Sequence, residues 1–312
     1  MNNFKKSIYE KDGCRIIHGD SLEILDESVI DGSINLIFAD PPYNIGKKFG
    51  DFDDKWESDT EYFSWCCRWI DICIKKMAST ASMYLMTSTQ AMPLIDCYVR
   101  ERIDVLSRIV WHYDSSGVQA KKYFGSLYEP ILLLVMDKTN YTFNAQDIMV
   151  EARTGAVRNL IDYRKATPTP YNTKKVPGNT WYFPRVRYRM PEYENHPSQK
   201  PESLLDRIIL ASSNIGDLIL DPFAGTFTTG AVAKRLGRKF IGIEQELEYI
   251  KIGLRRLDIQ MELNGEILNP IDKSYIRKNH HSVASNESED DILQRLFGKS
   301  TDNTIENSSD KT

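Results

Sequence analysis

Short apolar runs that stop abruptly at polar or proline-bearing turns set the pattern of this chain. Asn35 to Ala39 reads NLIFA and breaks at Asp40-Pro41-Pro42, where two prolines, neither able to donate to a ladder, end the strand. Asp40 is thereby delivered to a loop at the C-terminal end of a buried strand, the side on which open parallel sheets bind ligands. Helical periodicity follows from about Glu61 to Met77 and near Pro93–Arg102, with strands expected near Met83–Met86, Ser107–Tyr113 and Glu129–Val135. After a stretch without periodicity the alternation resumes. It predicts a helix from about Pro201 to Ser212, a strand at Leu218–Leu220, a helix at Thr228–Leu236, a strand at Lys239–Ile243 and a helix at Leu247–Gln260. Strands alternating with helices predict an α/β fold with a parallel sheet.

Between Asp137 and Glu194 the periodicity fades and Pro, Gly, Tyr and Arg accumulate, as expected of an inserted recognition region. The chain then divides into residues 1–136, 137–195, 196–263 and 264–312. The last segment is polar and acidic, expected to be disordered apart from a short helix at Asp291–Phe297. A length of 312 residues suits one large α/β domain with an insertion, or two modest domains. No apolar run approaches the roughly 20 residues that span a bilayer, and the N-terminus lacks the apolar core of a signal peptide, so a cytoplasmic protein without a membrane partner is expected. Five cysteines, an odd number without C-x-x-C spacing, read as reduced thiols. Cys66, Cys67 and Cys73 fall in a predicted helix, where a thiol behaves as a small hydrophobe, and no metal site is expected.

The net charge of -4 hides a segregation. Asn286–Thr312 holds seven acidic and three basic residues, which leaves the rest of the chain neutral. Glu151–Lys200 holds ten Arg or Lys against four Asp or Glu, a basic stretch suited to phosphate contact or simply to a solvated face.

Three motifs carry candidate chemistry. The run Leu218 to Gly230 breaks at Asp221-Pro222 and re-enters a helix near Thr228. Gly225 lets the backbone pass close to a ligand, and the threonines can cap a helix start able to receive a carboxylate, although a tight turn would read the same way. The loop lacks the Gly-x-Gly-x-x-Gly spacing of nicotinamide folds. Glu244, ending the next strand, can accept from both ribose hydroxyls, or be an ordinary helix-start acid. His196-Pro197-Ser198-Gln199-Lys200-Pro201 leads into an amphipathic helix, its polar side chains able to converge on a cofactor, and a lone His196 reads as structural. Asp40-Pro41-Pro42-Tyr43 supplies what transfer to an aromatic amine needs. The Asp40 carboxylate and Pro41 carbonyl can accept its N–H bonds and favour a lone pair free to attack, while Tyr43 can stack on an extruded base. In isolation this tetrapeptide also reads as a turn capping a strand.

Together and in this order, these motifs resemble the beta-order amino-methyltransferases of DNA, in which the catalytic motif precedes the cofactor motif. The resemblance spans roughly residues 8 to 260. It implies a Rossmann-like methyltransferase sheet in circularly permuted motif order, the cofactor S-adenosyl-L-methionine, and double-stranded DNA as partner. It implies Asp40, Pro41, Pro42 and Tyr43 as the catalytic set. Lys200, Asp221, Phe223, Gly225, Thr226, Thr228 and Thr229 would surround the methionine half, with Glu244 at the ribose and Asp20 near the adenine. Phe227 stands where many relatives have glycine, which brings the backbone geometry of that loop into question. Asp before Pro-Pro-Tyr resembles the adenine-N6 enzymes more than the cytosine-N4 ones, which stay an alternative, as does an idle DNA-binding protein on the same fold. The stretches IVWHYDSSGVQAKKYFGSLYEPILLLV and VPGNTWYFPRVRY are similar to solitary enterobacterial adenine methyltransferases and imply an ATGCAT-like palindrome. Residues 137–195 would form the target-recognition region, with Arg153, Arg158, Arg164, Lys174, Lys175, Arg185 and Arg187 as DNA contacts. Lys121 and Lys122, beside Tyr123 and Phe124, would add a DNA-facing clamp. A homodimer and a restriction endonuclease partner are left open.

Overall fold

A computed structural model describes residues 7–49, 52–114, 121–152, 160–164, 166–259, 261–263 and 266–268. All of them belong to one compact unit, residues 1–270. The expected acidic tail and its Asp291–Phe297 helix lie outside the described residues.

Nine strands form the central sheet: β1 (Ser7–Lys11), β2 (Cys14–His18), β3 (Ile34–Ala39), β4 (Met77–Met86), β5 (Asp104–His112), β6 (Tyr128–Val135), β7 (Thr180–Tyr182), β8 (Leu218–Asp221) and β9 (Lys239–Glu244). Their spatial order is β1-β2-β9-β8-β3-β4-β6-β5-β7. Strands β2, β9, β8, β3 and β4 run parallel, with a register shift between Ile34 and Leu36 where β3 pairs with β4. The expected parallel sheet holds for these five strands, while β6 is antiparallel to both β4 and β5, and β1 is antiparallel to β2. The reason is connectivity. Antiparallel neighbours need no helical crossover, and β6 fills the gap between β4 and β5. The Asp137–Glu194 region also contributes to the sheet, because β7 pairs with β5 through Trp181 and Trp111.

Helices cover both faces. On one lie α1 (Ser21–Ser28), α2 (Asp59–Lys76) and α3 (Met92–Val99), and on the other α4 (Glu202–Ser212), α5 (Thr228–Arg235) and α6 (Leu247–Arg256). Asp20 starts α1 by accepting from the Leu22 amide at 2.8 Å, and Ser58 starts α2 by accepting from Glu61 at 3.1 Å. Along α2 the buried residues Tyr62, Cys66, Trp69, Ile70 and Cys73 recur at helical spacing, so two of the three helix thiols are packed as small hydrophobes. No helix among the described residues is long and apolar enough to cross a membrane. Beyond α6 a small hairpin, Met261–Leu263 with Glu266–Leu268, carries regular structure past the point where the sequence pattern fades.

Phe227, the residue whose bulk brought the β8–α5 loop into question, is fully buried with φ of 58°. That left-handed conformation is uncommon for a side chain larger than asparagine. Its ring turns away from the loop into the core, where two glycines make room: a Cβ on Gly253 would overlap the ring, and one on Gly242 would lie 2.7 Å from Phe227 Cε1. The ring burial offsets the backbone strain and fixes the loop. Gly253→Ala is expected to cost about 1–3 kcal/mol by overpacking, and Phe227→Ala about 3–5 kcal/mol by opening a cavity. Denaturant unfolding of the two variants checks both.

Candidate active site

From β3 the chain passes through α2 to β4 on one side, and from β8 through α5 to β9 on the other, so the order reverses between β3 and β8. Ligands of open α/β sheets bind at such a switch point. The register Leu220 to Ile37 sets the Asp221 turn beside the Asp40 turn. Four adjacent parallel strands, β2, β9, β8 and β3, each run out into an acid: Asp20, Glu244, Asp221 and Asp40. All four line one cleft with about 1240 Å³ of atom-free space, open to solvent at its mouth.

At the β3 end, Asp40, Pro41, Pro42 and Tyr43 all face this cleft. The Tyr43 hydroxyl donates to Asp40 Oδ1 at 2.6 Å, while its backbone N–H donates to Asp54 at 3.2 Å. The Pro42 carbonyl accepts from Tyr62 at 2.9 Å, which pins the turn to α2. Lys200, expected around the methionine half, instead sets its ammonium 2.6 Å from Asp40 Oδ2 and 3.4 Å from Glu129 Oε2. Glu129 also lies 3.2 Å from the Tyr43 hydroxyl. It was missed in the sequence because the first residues of a parallel strand would lie at the far edge of the sheet. The reversed direction of β6 brings its start to the same edge as the end of β3. Burial pushes the Asp40 carboxyl up, opposed by Lys200. Burial pulls Lys200 down, but the Asp40 and Glu129 carboxylates outweigh it and hold the ammonium charged. Two carboxylates flank the Lys200 ammonium, and Lys47, lining the same cleft, brings a second ammonium within electrostatic reach of both.

The β8 end is organised around Asp221. Its carboxylate accepts from the Thr229 hydroxyl at 2.5 Å and from the Phe223 amide at 3.0 Å, and burial pushes it up to about 7. Phe223 is wedged between Trp65 and Trp69, with ring centroids 5.6 and 5.2 Å away. Gly225 has φ of +49°, and a Cβ there would press on the His196 ring at 3.3 Å. Thr226, Thr228 and Thr229 are buried. Arg256, also missed in the sequence, braces this loop from α6, donating to the Thr226 carbonyl at 3.1 Å and the Thr228 hydroxyl at 3.0 Å while paired with Glu202 at 2.7 Å. Glu244 accepts from the amides of Gly225, Gln245 and Glu246 at 2.8, 2.9 and 2.8 Å, and burial pushes it up to about 7 despite these donors. His196 packs edge-on against Tyr249 with centroids 4.5 Å apart, and burial takes it down to about 3, so it stays neutral, in keeping with a structural role.

The candidate DNA contacts fall elsewhere. Lys121, Lys122, Lys174 and Lys175 are exposed. Arg164 forks onto Asp162 at 2.8 and 3.0 Å, Arg187 meets Asp114 at 2.9 Å, and the Arg185 guanidinium sits 5.1 Å over the Tyr113 ring. Arg153 and Arg158 lie outside the described residues.

The sequence pattern of the DNA methylase family matches residues 34–255, which includes the Asp40 turn, Glu129, Lys200 and the Asp221 loop. The chain belongs to this family. It is 59% identical over 258 residues, 83% of this chain and 87% of the relative, to the DNA adenine methyltransferase YhdJ of Escherichia coli K12. It is 32% identical over 253 residues, 80% of this chain and 76% of the relative, to the type II methyltransferase M.HpaI of Haemophilus parainfluenzae. In fold it resembles the PvuII DNA methyltransferase (cytosine-N4-specific), with a TM-score of 0.63 at 17% identity over 89% of this chain and 95% of that one. A complex of M1.HpyAVI with SAM matches with a TM-score of 0.54 at 23% identity over 78% of this chain and 98% of that one.

The cleft of this DNA methylase fits S-adenosylmethionine on its own chemistry. Asp221 is a buried carboxylate whose neighbours are neutral donors, suited to an amino group, and Glu244 ends the second strand where ribose hydroxyls can donate. The same two acids predict a pH dependence. Each has a folded-state pKa of about 7 against ordinary values of 3.8 and 4.5, so each contributes stability that is complete below those values and lost as pH rises through about 7. The ligand-free protein is expected to melt at lower temperature at pH 8 than at pH 6, and the Asp221→Asn, Glu244→Gln double variant to show a flatter profile. Thermal unfolding across that range is the check.

Proposed function

We propose that this DNA methylase transfers a methyl group from S-adenosylmethionine to N6 of an adenine turned out of duplex DNA. The observation that carries the reading is the placement of Asp40-Pro41-Pro42-Tyr43 at the sheet's switch point, in one cleft with Asp221 and Glu244. Bound S-adenosylmethionine supplies an electrophilic methyl on a sulfonium. Asp221, Gly225 and the buried threonines hold its amino-acid end, Phe223 flanks it, and Glu244 takes the ribose, with Asp20 beyond. The target amine is a poor nucleophile because its lone pair is drawn into the ring. Asp40 and the Pro41 carbonyl accept its two N–H bonds and favour the pyramidal nitrogen whose lone pair can attack. As the new N–C bond forms and the methyl–sulfur bond breaks, its electron pair staying on sulfur as a neutral thioether, positive charge arrives at the nitrogen beside the Asp40 and Glu129 carboxylates, which stabilise it. The surplus N–H proton then passes to Asp40, whose carboxyl burial has raised. Tyr43 supplies an aromatic face against the extruded base.

Adenine rather than cytosine is favoured by the sequence relatives, of which the 59% identical one is named an adenine enzyme, whereas the likeness to the cytosine-N4 enzyme is one of fold at 17% identity. Residues 137–195 act as the target-recognition region, and an ATGCAT-like palindrome is the proposed site. Lys121, Lys122, Arg153, Arg158, Arg164, Lys174, Lys175, Arg185 and Arg187 contact the duplex. The basic excess of this stretch supports the assignment.

Asp40→Ala is expected to abolish methylation while the cofactor still binds. Nucleoside analysis of DNA treated with the wild-type protein should yield N6-methyladenine and no N4-methylcytosine, and retained activity in the variant overturns the mechanism. For the duplex surface, Lys174→Ala with Lys175→Ala should weaken DNA binding and reduce the slope of log affinity against log salt by about 2. A salt titration of binding reads this directly.

A further inference from the structure

Lys200 and Glu129 lie in the catalytic end of the cleft, although neither is needed to accept the amine. Their geometry gives them a use. Asp40 Oδ2, an acceptor, and Lys200 Nζ, a donor, are 2.6 Å apart and both residues line the cleft; Nζ also donates to the Ser198 carbonyl at 3.3 Å, a long bond that an acceptor on a base would replace. On adenine the exocyclic amine and the ring nitrogen N1 hang from one carbon, about 2.3 Å apart as two C–N bonds at a trigonal centre require. One is a donor and the other an acceptor. The protein pair and the base edge are therefore complementary in both spacing and polarity.

We propose that Asp40 and Lys200 together read this edge, Asp40 accepting from the amine and Lys200 donating to N1, with Glu129 as the positioning residue that keeps Lys200 in place. The inference rests on the adenine reading above. A carboxylate oxygen can accept two hydrogen bonds, so Asp40 can hold Lys200 and the amine at once. The Tyr43 hydroxyl, bound to Oδ1 at 2.6 Å, fixes the rotation of the carboxylate so that Oδ2 carries both. An unaccompanied ammonium on N1 would draw electron density from the amine and slow its attack. Glu129, 3.4 Å from the same ammonium, cancels most of that charge and supplies a second anchor when Asp40 is shared with the base.

The pair also states what the pocket refuses. Guanine and thymine present a carbonyl beside a ring N–H, the reverse polarity, which would set an oxygen against Asp40 and an N–H against Lys200. Buried polar groups left facing like partners discriminate strongly. Cytosine, with an amine beside an unprotonated N3, passes this filter, so adenine is separated from cytosine by other contacts.

The test uses the full chain and duplexes carrying its methylation site, with the target position occupied by adenine, 7-deazaadenine or 1-deazaadenine opposite an abasic site, so that lost base pairing does not differ between them. In wild type, 7-deazaadenine should be methylated within about twofold of adenine, and 1-deazaadenine should react at least about tenfold more slowly and bind correspondingly less tightly with S-adenosylhomocysteine present. Lys200→Met should treat all three bases alike. Glu129→Gln should shrink the 1-deazaadenine penalty while leaving cofactor affinity unchanged, a result that mere loss of packing would not give. Should Lys200→Met be inactive, the wild-type binding ratio alone decides. Equal wild-type affinity for adenine and 1-deazaadenine, or an equal penalty in wild type and Lys200→Met, overturns the inference. Failure of wild type to methylate adenine at all would instead overturn the adenine reading.

Discussion

Strands β3 and β8 run side by side and in parallel, joined through Leu36, Ile37, Ile219 and Leu220, all fully buried. Chain segments some 180 residues apart in sequence meet there. Because their connections leave in opposite directions and over opposite faces, no helix covers the ends of the two strands, and a cleft opens. Two turns that begin with Asp-Pro, Asp40-Pro41 and Asp221-Pro222, end these strands for the same reason: proline withholds the donor that a ladder needs. The cleft, its acids and the separation of its two ends all follow from that contact.

Burial then decides how those acids behave. Asp221 and Glu244 are taken out of water with neutral donors around them, so their carboxyls titrate near neutrality and are ready for partners that bring charge or hydroxyls. Asp40 is buried as well, but beside a second carboxylate and the Lys200 ammonium, with Lys47 within electrostatic reach, so its surroundings mix charges of both signs. The same desolvation thus gives two chemistries at the ends of adjacent strands. One end suits a cationic amino-acid group, and the other suits charge that appears during reaction.

The walls of the cleft are held from behind. Arg256 grips the Thr226 carbonyl and Thr228 hydroxyl from α6, and Phe227 anchors the loop in the core against Gly242 and Gly253. A large residue in a left-handed position is tolerable here because two separate elements, β9 through Gly242 and α6 through Gly253, leave its ring a space. This is why a local reading of the loop suggested disturbance, while the assembled structure has none.

Strand ends, most helices and the three motifs were legible in the residues themselves, since proline breaks, apolar periodicity and glycine at a ligand loop are local properties. Asp40, Tyr43, Asp221, Gly225 and Glu244 could be singled out on that basis, and the order of the motifs indicated the family. Strand direction and side-chain convergence were not local. The reversal of β6 depends on which gap in the sheet the chain can fill, and it alone carries Glu129 to the Asp40 edge. The reach of Lys200 to Asp40 rather than to the other end of the cleft depends likewise on how the Pro201 turn packs. The sequence by itself determined which residues could perform the chemistry. Only the tertiary structure decided which of them share one electrostatic cluster, because charge interactions are set by distance and burial, and neither is written in the spacing along the chain.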